Sequence, residues 1–248
     1  SDLILILINK DSNMNKLKTL VVSVFVAALS LSSIANAIEI RAGLTANSTA
    51  YYGNVTETLK DSGHKEKTEA LAAFSYSSGF AEVALESVAG LTLGIDYVPD
   101  AISLETTTRV IRSTLYASGG TPTGEDTNGG IQNIAADVTD VTTIYLALPI
   151  MSTGLSLKAG FMTGSLETKE TLATGSTYKD VDIDGYSFSV FYDGALGEHM
   201  FYRVEGGYME FDDISATGSE AGGDTTSFNK ITAELGGVKA GLSIGAKF

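Results

Sequence analysis

The 248-residue chain has no cysteine or tryptophan, three prolines, two histidines and few basic residues. The absence of cysteine excludes disulfide bonds and thiolate metal sites. Sixteen basic residues against 30 acidic ones give a formal net charge of −14. This charge argues against a nucleic-acid partner, because neutralising phosphates requires clustered lysine and arginine. The chain is nevertheless 44% hydrophobic, which argues against a disordered protein.

The first 37 residues have the pattern of an export signal. A basic start from Met14 to Lys18 precedes an apolar run over residues 20–31, and Ala35 and Ala37 occupy the small-residue positions of a cleavage site. The apolar run is shorter than the about 20 residues that a membrane-spanning helix needs. A retained anchor is the alternative. The predicted division is an upstream segment over 1–13, a cleavable helical signal peptide over 14–37 and a β-barrel over 38–248.

Apolar and polar residues alternate strictly along much of the mature domain. The pattern is clearest near the C-terminus, where Leu242 and Ile244 alternate with small or charged residues and the chain ends on Phe248. A period of two predicts strands with one apolar face. Eight segments have this pattern: 38–45, 81–86, 91–97, 144–150, 155–161, 186–192, 200–208 and 238–248.

The connections between these segments alternate in length, as in bacterial outer-membrane barrels. Short connections near 87–90, 151–154 and 193–199 alternate with long polar ones near 53–68, 99–137, 166–182 and 212–230. We therefore predict an all-β, closed antiparallel transmembrane barrel, because an open strand edge in lipid leaves backbone groups unsatisfied. Eight strands are expected. A further hairpin from 106–117 and 130–136 would extend the wall or make ten strands, and a soluble β-sandwich is the competing fold.

Residues 38–248 resemble the small outer-membrane β-barrel proteins related to the OmpA membrane domain, OmpX and OmpW. The most specific part is the strand from Lys239 to Phe248, since a C-terminal aromatic on an alternating strand resembles that group's signal for the barrel-insertion machinery. The resemblance implies a Gram-negative outer membrane as the location, with lipid and lipopolysaccharide as surroundings. The group's interfacial tryptophans are missing here, so tyrosine and phenylalanine would take their place.

Strand parity predicts which charges face the barrel lumen. An eight-stranded barrel has an interior about wide enough for side chains to fill, so the leading interpretation is an ion-pair network that plugs the lumen. The alternative is a narrow ion path, gated when Arg41 or Arg203 re-pairs with Glu82 and Glu205. Acids and bases are equal in number in this set: Glu39, Glu82, Glu86, Asp96 and Glu205, with Arg41, Lys158, Arg203, Lys239 and Lys247.

Most of the negative charge falls in the long loops. Residues 100–140, 167–184 and 210–224 together carry 12 of the 15 net negative charges of residues 38–248. Such a rim favours cations, although charged loops are often only solvated. Asp180, Asp182 and Asp184 begin a calcium-loop-like D-x-D-x-D-G pattern, but Phe191 occupies the twelfth position. No cofactor is expected, with Ca²⁺ or another divalent cation as the weaker alternative.

Aromatic residues at six-residue spacing predict two interfacial girdles, with ordinary core aromatics as the alternative. The predicted girdle residues are Tyr97, Tyr186, Tyr192, Tyr202 and Tyr208.

A non-enzymatic structural or surface-interaction barrel is the leading functional hypothesis, followed by a small cation-preferring channel. Catalysis has little support, because Asp61, Ser62 and His64 are neighbours in one loop and a triad is defined by spatial roles. A lipid-modifying enzyme is the minor alternative, and the oligomeric state is left open.

Overall fold

Side chains alternate between the two faces of the ring strands wherever their burial is described, and this alternation organises the fold. A computed structural model describes residues 38–58, 65–110, 114–116, 122–125, 131–150, 153–169, 178–218 and 230–248. The predicted signal peptide, with Ala35 and Ala37, and His64 lie outside the described residues. No helix in the described part is long and apolar enough to cross a membrane.

Twelve strands are present in the described residues. They are β1 (Ile38–Thr58), β2 (Lys65–Leu85), β3 (Leu91–Tyr97), β4 (Ile102–Val110), β5 (Thr114–Tyr116), β6 (Pro122–Glu125), β7 (Ile131–Pro149), β8 (Leu155–Thr168), β9 (Val181–Ala195), β10 (Met200–Phe211), β11 (Ile214–Thr217) and β12 (Lys230–Lys247).

Eight of these strands form one closed antiparallel ring. The order is β1, β2, β3, β7, β8, β9, β10 and β12, and β12 pairs with β1 to close the ring. The pairing of β1 with β12 runs from Arg41 opposite Lys247 to Thr58 opposite Lys230. This closure satisfies the strand edges, which is the condition for a β-structure in lipid.

The additional strands extend the wall and do not widen the ring. Strand β4 pairs with β7 beyond the end of β3, and β11 pairs with β12 beyond the end of β10. Strands β5 and β6 form a separate two-stranded sheet. The described part of the predicted hairpin, residues 107–110 paired with residues 131–134, therefore extends the wall, and the ten-stranded alternative is wrong.

Large apolar side chains point outward along the ring strands. Leu44 is 74% exposed, Phe188 is 60% exposed and Leu242 is 58% exposed. The inward positions instead include polar residues such as Thr45 and Ser243, whose hydroxyls lie 2.8 Å apart. A soluble sandwich would bury its apolar face, so the sandwich alternative is wrong. An apolar belt of this extent matches a hydrocarbon solvent.

Short turns join the ring strands at one end of the barrel. The 3-10 turn Glu86–Val88 links β2 to β3, with Ala89 at φ 55° and Gly90 at φ 74°. Gly154 and Gly197 also have positive φ in the next two short turns, where glycine avoids the steric cost of that conformation. The connections with more residues join the opposite ends of the ring strands.

Candidate functional site

The lumen contains two neighbouring layers of charged side chains. The arginine layer consists of Glu39, Arg41, Glu82, Asp193, Arg203 and Lys247. The lysine layer consists of Asp96, Lys158, Glu205 and Lys239. Each layer has as many acids as bases, which is expected where charges are removed from water.

Arg203 is the centre of the arginine layer. Its side chain is 2% exposed, and its Nη2 donates hydrogen bonds to Glu82 Oε2 at 3.0 Å and to Asp193 Oδ2 at 2.9 Å. Glu82 is on β2 and Arg203 is on β10, three strands apart around the ring of eight. The ion pair therefore crosses the lumen. Guanidinium suits this position because its planar fork can satisfy both carboxylates at once.

Aromatic rings enclose the same guanidinium. Its central carbon lies 3.9 Å from the centroid of the Phe191 ring, 5.2 Å from that of Phe80 and 5.7 Å from that of Phe201. All three rings are buried. Cation–π attraction is strongest where water is excluded, so the rings hold the arginine in place and fill the space around it.

The remaining members of the arginine layer lie toward the short-turn end. Arg41 Nη1 donates to Asp193 Oδ2 at 3.1 Å, and its Nε donates to Glu39. Lys247 Nζ lies 3.7 Å from Glu39 Oε2. A chain of alternating charges thus runs from this mouth of the barrel to Glu82.

Glu205 is the centre of the lysine layer. Its Oε2 accepts a hydrogen bond from Lys158 Nζ at 3.1 Å, and its Oε1 lies 2.7 Å from Lys239 Nζ. Ser189 Oγ donates to Oε1 at 2.7 Å. One carboxylate therefore serves two ammonium groups. Asp96 accepts a hydrogen bond from Ser78 Oγ at 3.1 Å.

Tyr145 connects the two layers. Its hydroxyl donates to Glu82 Oε1 at 2.6 Å, and Lys158 Nζ lies 4.0 Å from the centroid of its ring. The ring lies against Gly94, where an added Cβ would approach a ring carbon to 2.3 Å. Glycine at position 94 therefore makes room for the tyrosine that links the layers.

Apolar and aromatic side chains lie beyond the lysine layer, toward the long loops. Tyr51 stacks on Phe74 with centroids 5.1 Å apart, and its hydroxyl lies 3.9 Å from Met209 Sδ. Phe211 lies 6.0 Å from Tyr51 between ring centroids. This aromatic cap lies on top of the charged layers inside the described part of the lumen.

The structure places nine of the ten lumen charges predicted from parity inside the barrel. The exception is Glu86, which lies in the exposed 3-10 turn because β2 ends at Leu85. Asp193 takes its place in the charge balance. Asp193 was missed because the sequence predicts a turn that begins at this residue, whereas β9 continues to Ala195. Asp193 has the same parity as the inward-facing Ser189 and Phe191, and this parity would have placed it inside. Tyr145 was missed because only charged residues were counted for the lumen, although its parity, opposite to that of exposed Leu146, places it inside.

The aspartates of the calcium-like pattern do not converge in the structure. Asp182 and Asp184 are exposed along extended strand β9, where alternate residues are about 7 Å apart. Asp180 Oδ1 accepts a hydrogen bond from the Thr168 amide at 3.1 Å. Among the described residues, no group of three or more histidines or carboxylates is placed to hold a metal ion.

The tyrosines predicted for the girdles lie on the outer face. Tyr186 is 52% exposed and Tyr192 is 41% exposed. Toward the long loops, the Tyr208 hydroxyl lies 2.8 Å from the Tyr52 hydroxyl. Tyr52 was not among the predicted girdle residues. Toward the short turns, Tyr192 and Tyr202 have centroids 6.2 Å apart. Tyr97 donates to Asp140 Oδ1 at 3.3 Å.

One ion pair lies outside the ring, in the extended wall. Lys169 donates a hydrogen bond to Asp137, and this contact, followed by a hydrogen bond from Ser103, lowers the pKa of the Asp137 carboxyl. The same contact raises the pKa of Lys169. Phe248 lies at the short-turn end, where its amide donates to the Ile40 carbonyl at 2.9 Å.

Solved structures with a similar fold are outer-membrane barrels. OprG from Pseudomonas aeruginosa superposes with a TM-score of 0.50 at 13% identity, over 84% of this chain and 97% of that one. The chain has the fold of the small outer-membrane β-barrels. The protease OmpT from Escherichia coli gives 0.40 at 11% identity (86% and 97% of the two chains), and Ail of Yersinia pestis gives 0.32 at 10% (83% and 99%). No protein-family model matches the sequence, and neither does any curated protein.

Proposed function

We propose that the protein is an outer-membrane β-barrel whose own side chains seal its lumen, and that it acts through the surface it presents above the membrane. The observation that carries this proposal is the ion pair between Arg203 and Glu82, which crosses the lumen between buried groups. The lysine layer and the aromatic cap add two further obstructions along the same axis. A barrel filled in this way has structural rigidity and no permanent water path.

The surface role is argued from charge. The acidic stretches at the long-loop end would repel anionic solutes and attract cations. We propose outer-membrane lipid and lipopolysaccharide as the partners of this end, with divalent cations as bridges between loop carboxylates and lipid phosphates. We expect no enzymatic activity and no required cofactor.

Export is part of the same proposal. The chain would cross the inner membrane behind residues 14–37, be cleaved after Ala37 and be inserted by the barrel-assembly machinery through its last strand. N-terminal sequencing of the protein recovered from the outer membrane of a Gram-negative host should read Ile38 first. A protein that retains Met14 at its N-terminus would contradict the cleavage.

The direct test of a sealed lumen is conductance. The protein, expressed from the full chain and extracted from outer membranes, is added to a planar bilayer at neutral pH after its shift in gel mobility shows that it is folded. We expect a silent membrane. Stable steps of conductance from the folded protein would overturn the sealed barrel.

A small cation-preferring channel is the second candidate, favoured by the acidic rim above a lumen that contains two layers of charged side chains. The two candidates differ in the response to Glu205→Asp, which keeps the charge of the lysine layer and shortens the side chain that contacts Lys158 and Lys239. In a sealed barrel the substitution lowers stability and leaves the bilayer silent at neutral pH. In a channel it changes single-channel conductance and cation preference, because the Glu205 carboxylate lies inside the lumen.

A further inference from the structure

Asp96 stands apart from the other charges in the lumen. Its carboxylate accepts a hydrogen bond from Ser78 Oγ, and Ser78 in turn accepts one from Asn47 Nδ2 at 3.0 Å. Within the described part of the chain, no basic nitrogen lies within 4.0 Å of Asp96. Every other charged member of the two layers is in at least one ion pair.

The lysine layer needs this charge. Lys158 and Lys239 share Glu205, so the three contacting groups carry a net charge of +1. Asp96 makes the layer neutral without touching either lysine. The titratable groups that face Asp96 come from five strands: Tyr76 on β2, Tyr145 on β7, Lys158 on β8, Glu205 on β10 and Lys239 on β12.

We propose that Asp96 is the remote counter-charge that keeps the lysine layer sealed, and that its protonation opens this layer. The inference rests on the proposed sealed barrel and adds its regulation by acid. When Asp96 gains a proton, two ammonium groups remain around one carboxylate in a region of low dielectric. The excess positive charge is relieved when water and a small anion enter the layer.

The arginine layer has no equivalent weak point. Glu82, Asp193 and Glu39 each contact a guanidinium or an ammonium group directly. No carboxylate of the arginine layer therefore balances a cation from a distance, as Asp96 does in the lysine layer.

The test uses the full-chain protein in planar bilayers, between about pH 8 and about pH 4, a range that ends near the ordinary titration of aspartate. The wild-type protein should be silent at the upper pH and should show anion-preferring steps in acid. The variant Asp96→Asn should show these steps at both pH values. The double variant Asp96→Asn with Lys239→Met restores neutrality and should be silent at both.

A matched control is Asp100→Asn, the same change at an exposed position just after β3. It should behave as the wild-type protein does. If Asp96→Asn also behaves as wild type, the proposal fails. It fails equally if Asp96→Asn conducts but the second substitution does not silence it, because the effect of Asp96 would then not come from its charge.

Lys239→Met gives an independent test if Asp96→Asn does not fold. This single variant leaves the lysine layer with a charge of −1, so protonation of Asp96 in acid restores neutrality. Acid should then close the barrel and not open it. If acid still opens the barrel of the Lys239→Met variant, the proposal fails. Steps from the wild-type protein at neutral pH would overturn the sealed barrel itself, whereas wild-type silence over the whole range would overturn only the role of Asp96.

Discussion

The two charged layers of the lumen have the same balance of charge but different construction. In the arginine layer, Arg203 contacts two carboxylates through its guanidinium and is enclosed by three phenylalanine rings. In the lysine layer, Glu205 is shared by two flexible lysines and Asp96 stays at a distance. Neutrality alone therefore does not determine how firmly a buried network is held. Direct contacts and planar geometry decide it.

Removal of Arg203 should have the largest effect on stability. Among the described residues, Arg203→Met leaves Glu82 with Tyr145 as its side-chain donor and removes a contact of Asp193, so we expect a loss of about 4 kcal/mol in the free energy of unfolding. Urea unfolding of the protein in lipid vesicles, monitored by its gel mobility, measures this loss.

The matched variant is Arg203→Lys, which keeps the charge but loses the fork and much of the cation–π contact. Its stability should fall between those of the wild-type protein and Arg203→Met. If Arg203→Met is as stable as the wild-type protein, the arginine layer does not hold the barrel together.

Removal of one lysine should cost less. In Lys158→Met, Glu205 keeps Lys239 at 2.7 Å and the Ser189 hydroxyl at 2.7 Å, so we expect a loss of about 1–2 kcal/mol. The same urea experiment compares it with Arg203→Met. Equal losses in the two variants would show that the layers are equally rigid and would remove the contrast between them.

The connection between the layers can be tested at Tyr145. Tyr145→Phe keeps the ring against Gly94 and beneath Lys158 but removes the hydrogen bond to Glu82, with an expected loss of about 1 kcal/mol. In a double-mutant cycle with Lys158→Met, the two losses in the free energy of unfolding should not be additive, since Tyr145 and Lys158 contact each other. Strict additivity would mean that the layers are independent.

The smallest loss of stability is expected when the Asp137–Lys169 pair is broken. This pair lies outside the lumen and serves as a reference. The hydrogen bond from Lys169 lowers the pKa of Asp137, so the pair's stabilisation is present above the unfolded-state pKa and is lost as pH falls through the lower folded-state value. A carboxyl NMR titration should give a pKa below about 3.9 for Asp137. Lys169→Ala should raise the pKa of Asp137. High salt should raise it too, because salt screens the charge of Lys169.

Sequence parity is a strong guide to the wall of the barrel and a weaker one to its interior contacts. The alternation on β12 and β9 determines which residues face lipid, because a shift of one residue would move every side chain of the strand to the other face. Glu86 and Asp193 were misplaced because parity depends on where a strand ends, and turns blur that boundary. Sequence analysis put Glu82 and Arg203 in one lumen set and named their pairing only as part of a gate. Parity does not say which of two residues 121 positions apart meet across the lumen.

The seam between β1 and β12 has a consequence for assembly. It joins residues 41–58 to residues 230–247, so the ring cannot close until nearly all of residues 38–248 is in place. Until then the first strand presents an unpaired edge, and such edges recruit other chains. Contacts between segments so distant in the chain also form slowly. The interval between the formation of the first and last strands is therefore the one in which this edge is most open to pairing with another chain.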